Sequence, residues 1–151
     1  MIEEKLKSLN ITLPSPPKPV GAYIPVIKSE HIVYVSGQIP IKDGKLVFKG
    51  KVPSDQSLEQ AQKAAKLCTV NALAQLKSEL GSLDKISKIL RVSGFVNSVP
   101  DFTEQPKVIN SASDLLFEIF GEKGKHSRIA VGVASLPLGA TVEIDMIVEI
   151  N

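Results

Sequence analysis

Several residue types and patterns are scarce in this 151-residue chain, and each scarcity excludes something. There is one cysteine, Cys68, so no intramolecular disulfide can form, and a reducing compartment fits best. No apolar run approaches the roughly 20 residues needed to span a bilayer. The opening Met1-Ile2-Glu3-Glu4-Lys5 lacks the pattern of a secretory signal, so a cytoplasmic protein is expected. Formal net charge is only +2, and lysines and acids are interspersed throughout. That argues against a nucleic-acid surface, which would concentrate basic residues in a stripe. Tryptophan is absent, and the two histidines, His31 and His126, lie far apart with no metal-ligand spacing. Both read as solvated loop residues. No zinc, calcium, phosphate-loop or dinucleotide motif is present, so neither metal nor cofactor is expected.

Arginine is scarce as well, with Arg91 and Arg128 standing against sixteen lysines. Arg128 opens the most informative stretch, Ser127-Arg128-Ile129-Ala130-Val131-Gly132-Val133-Ala134-Ser135-Leu136-Pro137. Strict alternation predicts a strand. One face carries Ile129, Val131 and Val133; the other carries Arg128, Ala130, Gly132 and Ala134. The bulky face is expected to meet the helices. A guanidinium on the small face must find an anion, because an unpaired buried charge is costly.

The rest of the chain alternates strand and helix signals. A short helix is expected over Ile2 to Leu9, then an extended arm over Leu13 to Val20 with Pro14, Pro16, Pro17 and Pro19. Ile24 to Ile27 and His31 to Gly37 read as strands, the first at a sheet edge because of Pro25. Asp43-Gly44 is a hairpin turn signal before a short strand at Leu46 to Phe48. Ser57-Leu58-Glu59-Gln60 is a capping box. Behind it Leu58, Ala61, Ala65, Cys68, Ala72, Leu76 and Leu80 recur at helical spacing as far as Gly81. Cys68 on that stripe reads as core. A strand at about Lys88 to Val96 precedes a second helix from about Thr103 to Phe120. Its apolar stripe runs through Val108, Ile109, Ala112, Leu115, Leu116, Ile119 and Phe120. Gly121 to His126 is a charged loop, and Thr141 to Ile150 is the last strand.

This order predicts an α+β fold over residues 1–151, a single domain whose residues 1–20 form an amino-terminal extension. One sheet would carry two helices on one face. Two helices cannot cover both faces. The Arg128 face, expected to include Tyr34 and Ser36, would be covered by another copy of the chain, with pockets near the subunit boundaries.

Arg128 and Glu143 are the sharpest chemical pair. A guanidinium presents a planar fork suited to a carboxylate. Glu143 and Asp145 stand two apart on a strand, hence on one face about 7 Å apart. If either acid only neutralises Arg128, the pair is structural. If the arginine faces a cavity, it recognises a substrate carboxylate and leaves the acid to handle water. Tyr23 and Ser36 are possible pocket hydroxyls, set against the alternatives of a packed ring and a locally satisfied serine.

The segments Gly21-Ala22-Tyr23, Val35-Ser36-Gly37-Gln38-Ile39-Pro40, Arg128-Ile129-Ala130-Val131 through Leu136-Pro137, and Val142-Glu143-Ile144 resemble the YjgF-type reactive intermediate deaminase family. The resemblance covers roughly residues 20 to 150, apart from a short insertion. It implies a chorismate-mutase-like protomer and a homotrimer with pockets between subunits. Active members of that family hydrolyse 2-imino acids, or their enamine tautomers, to 2-keto acids and ammonia. The family's carboxylate-binding arginine matches Arg128, and the acid that positions water matches Glu143. Its pocket tyrosine, serine and following glycine match Tyr23, Ser36 and Gly37. Its helix asparagine matches Asn110 or Ser113. The family's cysteine is Ala130 here, whose backbone carbonyl can still contact the imine nitrogen. The resemblance implies a 2-iminobutanoate/2-iminopropanoate deaminase-like hydrolase that needs no metal, since an iminium is already electrophilic. The alternatives are a non-catalytic binder of 2-keto acids and, with less support, an endoribonuclease or translation inhibitor. Which imine is the substrate, and whether Glu143 or Asp145 faces the pocket, stays open.

Overall fold

A computed structural model describes residues 1–16, 18–19 and 21–151. The elements follow in the order α1 (Ile2–Ser8), β1 (Val26–Ser29), β2 (Ile32–Gln38), β3 (Ile41–Lys42), β4 (Lys45–Leu46), α2 (Leu58–Leu80), β5 (Ile86–Asn97), α3 (Gln105–Phe120), β6 (Ser127–Val133) and β7 (Val142–Ile150). Five strands make one mixed sheet, ordered β1-β2-β7-β5-β6. Only β5 and β6 pair in parallel, joined through α3; the other neighbours are antiparallel. The predicted α+β architecture is the observed one, with three helices counting α1.

Local chemistry sets the ends of these elements. The Ser57 side chain accepts a hydrogen bond from the Gln60 backbone N–H at 3.1 Å and starts α2. Gly81, at φ 82°, ends it. Pro106 sits in the first turn of α3, where a missing N–H costs nothing. Asp43 and Gly44 both take positive φ and turn β3 into β4. Pro25 precedes β1, which is an edge strand, as a proline there requires.

The core lies between the sheet and the two long helices. Val33, Val35, Ile89, Val92, Val96, Val142, Ile144, Met146 and Val148 meet Ala61, Ala65, Cys68, Ala72 and Leu76 of α2 and Val108, Ile109, Ala112 and Leu116 of α3. The run of small residues on α2 lets that helix settle close to the strands. Gly94 does the same for α3, since a Cβ there would stand 2.5 Å from Cγ1 of Ile109. The amino-terminal helix buries Leu6, and the Ile2 backbone N–H donates to Asp84 Oδ1 at 3.0 Å. Leu13 to Pro16 of the proline arm line a shallow cleft with the end of α2. The expectation of an extended arm includes Pro17 and Val20, which lie outside the described residues.

One expectation is inverted. The small face of β6 turns toward the helices: Ala130 packs on the core and Arg128 reaches α3. The bulky face turns outward, leaving Ile129 37% and Val131 40% exposed. Tyr34 and Ile27 join that outer face, 47% and 54% exposed. Tyr34 and Ser36 therefore do not share a face with Arg128. The physical reason is space: α3 lies over β5 and β6 at a distance that only Gly94 and Ala130 permit, so the larger side chains take the other side. The uncovered outer face thus exposes large apolar side chains at both edges of the sheet, with Ser36, Arg91, Ser93 and Asp145 between them.

Candidate functional site

Glu143 lies near the start of β7, opposite Phe95 of β5, and points to the outer face. The β2 strand bulges beside it, with its register shifting between Val35 and Gln38. That bulge brings Gly37 under the acid. A Cβ at Gly37 would stand 2.7 Å from Oε2 of Glu143, so a bare Cα is what makes room for the carboxylate. Around it opens a cavity of about 370 Å³, lined among others by Lys18, Tyr23, Gln38, Gln75 and Leu138. Burial first, and the neighbouring Asp145 second, raise the pKa of Glu143 above the ordinary carboxyl value. An acid so placed is suited to exchanging protons with water. Tyr23 is 53% exposed and presents its ring to this cavity. Beneath, buried Cys68 lies 3.6 Å from the Val142 carbonyl. Its thiol is pushed well up, chiefly by burial and then by Glu143, so it stays neutral and unreactive.

Arg128 occupies a separate cleft of about 500 Å³ at the β6 edge, shared with Ser113, Asp114, Phe117, Lys125 and His126. Its Nη1 donates to Asn110 Oδ1 at 2.8 Å and to Ser113 Oγ at 3.2 Å, both on α3. Asn110 and Ser113 fall three apart on one face of the helix, so the two candidates for one role both serve the arginine. No carboxylate pairs with Arg128 among the described residues. Its Nε and Nη2 are likewise without a partner there.

The expected pair is thus not a pair within one chain. Glu143 aligns with Phe95 and Val131, whereas Arg128 aligns with Val92 and Met146. Two strand spacings and three residues put their Cα atoms about 14 Å apart, and their side chains leave opposite faces. Ser36 stands apart from both. Its hydroxyl donates to the Ile24 carbonyl at 2.8 Å, and it lines an outer-face hollow with Tyr34, Arg91 and Asp145. Asp145 faces that hollow and Glu143 the larger cavity.

Comparison with known proteins places this arrangement. A family model described as "YjgF/chorismate mutase-like, putative endoribonuclease" matches residues 3–150. The chain belongs to the YjgF family. Protein TCP17 of Trypanosoma cruzi is 40% identical to it, covering 99% of this chain and 94% of that protein. A crystal structure of a protein of unknown function from Agrobacterium tumefaciens superposes with a TM-score of 0.93 at 50% identity, covering 99% of this chain and 92% of that one. A relative from Dermatophagoides farinae named 2-iminobutanoate/2-iminopropanoate deaminase is 29% identical over 93% of this chain and 95% of its own.

Within this YjgF protein, Tyr23, Gly37 and Glu143 gather at one cavity, Asn110 and Arg128 at another, and Ser36 at neither. Ala130 sits next but one to Arg128 and faces the core. No helix of the described residues is long and apolar enough to cross a membrane. His126 is a correction. It is half-buried, with Nε2 2.9 Å from Ser113 Oγ and Nδ1 2.6 Å from the Gly124 carbonyl. Its place two residues before Arg128 on the same alternation is the signal that could have found it.

Proposed function

We propose that the protein hydrolyses small 2-imino acids to 2-keto acids and ammonia, at sites built between copies of the chain in a homotrimer. The observation that carries this reading is the separation of Arg128 and Glu143 onto opposite faces. Each opens into its own cavity, and neither can neutralise the other at home. A carboxylate bound by the free edge of the Arg128 fork and a water beside Glu143 could meet only where one protomer's fork approaches another protomer's acid. The exposed Ile129 and Val131 at one edge of the outer face, and Tyr34 and Ile27 at the other, support such a contact. The deaminase name of the Dermatophagoides relative supports the reaction class.

In this mechanism Arg128 holds the substrate carboxylate by two parallel N–H···O bonds. Glu143, ionised, accepts a proton from water as the water oxygen bonds to the carbon of the protonated imine, whose C=N electron pair moves onto nitrogen. The resulting carbon bears hydroxyl and amine. Glu143 returns its proton to the nitrogen and then takes the hydroxyl proton as the C–N bond breaks, so the C=O forms, ammonia leaves and solvent carries the last proton away. Tyr23, Gly37 and the Ala130 backbone close the pocket and fix the substrate's orientation. A cytoplasmic setting, where such imines arise and decay in water, suits this role.

The test is ammonia release from freshly generated 2-iminobutanoate or 2-aminoacrylate. Wild type should exceed the buffer rate and Arg128→Ala should not. A second assay addresses assembly: Arg128→Ala and Glu143→Gln chains, each inactive alone, should regain activity after subunit exchange, because mixed trimers contain some intact sites. Binding of 2-ketobutanoate without turnover by wild type would replace the enzyme with a binding protein.

A further inference from the structure

We propose that His126, acting through Ser113, is a positioning residue that holds Arg128 in the orientation that receives the substrate carboxylate. The inference rests on the deaminase reading and adds to it two residues that take no part in the chemistry.

The direction of each hydrogen bond follows from what each atom can do. The Gly124 carbonyl only accepts, so the Nδ1 atom 2.6 Å away carries the ring proton. In the neutral ring Nε2 is then bare and accepts the Ser113 hydroxyl, 2.9 Å away. With its proton so committed, the Ser113 oxygen turns a lone pair to Arg128 Nη1 at 3.2 Å. The chain of donation runs from Arg128 to Ser113 to His126 to Gly124. Asn110 Oδ1 takes the other proton of Nη1 at 2.8 Å. Both protons of that nitrogen are therefore spoken for by α3. The plane of a guanidinium is rigid, so fixing one nitrogen fixes where Nε and Nη2 point. Those are the two donors left for a carboxylate.

The anchor of the relay is itself well held. Gly124 is buried against the end of α3, where a Cβ would come 2.3 Å from the Leu116 carbonyl. The carbonyl that sets the His126 tautomer is therefore held against the same helix that carries Ser113. Holding the fork before substrate arrives removes an ordering cost from binding, and so belongs in KM. It leaves the water-handling step at Glu143 untouched.

The experiment measures 2-iminobutanoate turnover and 2-ketobutanoate binding by calorimetry on the full chain. Ser113→Ala and His126→Phe should each raise KM and Kd about tenfold, with kcat changed less than about threefold. Ser113→Thr keeps the hydroxyl and should stay within about twofold of wild type, which a loss of folding in His126→Phe cannot mimic. If Arg128→Ala loses binding while Ser113→Ala keeps wild-type KM and Kd, the relay is overturned and the deaminase reading stands. If wild type neither turns over nor binds, the deaminase reading falls and the relay with it.

Discussion

The two cavities of this protomer differ in how each treats its charge. Around Glu143 the protein makes charge costly: the acid is half-buried, stands over a glycine and has Asp145 as a like-charged neighbour. Around Arg128 the protein holds the charge steady without an ion pair: Asn110 and Ser113 accept from one nitrogen, and no carboxylate among the described residues pairs with the rest. The first arrangement suits a group that must take and return a proton. The second suits a group that must stay charged and wait for an anion. The difference shows that two opposite charges on adjacent regions of one sheet need not be an ion pair, because strand parity can hold them apart.

The sharpest way to break this contrast is to remove its cationic side. Arg128→Ala should lower kcat/KM at least about a hundredfold by deleting a bidentate charged contact, with the circular dichroism spectrum unchanged. Gly37→Ala attacks the other side. The added methyl would meet the Glu143 carboxylate at 2.7 Å, so activity should fall on the order of tenfold or more while the fold survives. Gly94→Ala is its counterpart on the helix-covered face. There the methyl meets Ile109, so urea denaturation should show a loss of about 1–3 kcal/mol.

Protonation sharpens the comparison further. In the proposed mechanism Glu143 must be ionised to take a proton from water, so kcat should fall as pH drops through its raised pKa. Asp145→Asn removes one cause of the raise and should move that acid limb to lower pH. The stability sign is the reverse. A carboxyl whose folded pKa exceeds its unfolded one contributes stability in full below the unfolded value, and that contribution is lost as pH rises through the folded value. Denaturation midpoints should therefore respond less to that pH rise in Glu143→Gln than in wild type. The smallest expected effect lies far from both cavities: Ser57→Ala removes the cap of α2 and should cost about 1 kcal/mol, with kcat/KM unchanged.

The elements themselves were legible because their signals are local. Ser57 and Gly81 bracket α2, Asp43-Gly44 turns the hairpin, and alternation marks β6 and β7, all within a few residues of chain. The identities of Arg128, Glu143, Tyr23, Gly37 and Asn110 as candidates were legible too, through spacing and resemblance. The direction β6 faces was not. Bulk alone suggested that Ile129 and Val131 belong under the helices, and that rule assumes only one apolar face. Gly94, distant in sequence, decides otherwise by admitting Ile109.

By itself, then, the sequence determined the order of the main strands and helices and the caps that bound them, and it named a short list of candidate groups for chemistry. Tertiary structure alone decided that Arg128 and Glu143 look away from each other, that Asn110 and Ser113 both attend the arginine, and that His126 is drawn in behind them. The physical reason is that periodicity states which residues share a face, whereas which face is covered depends on where distant small residues let a helix approach.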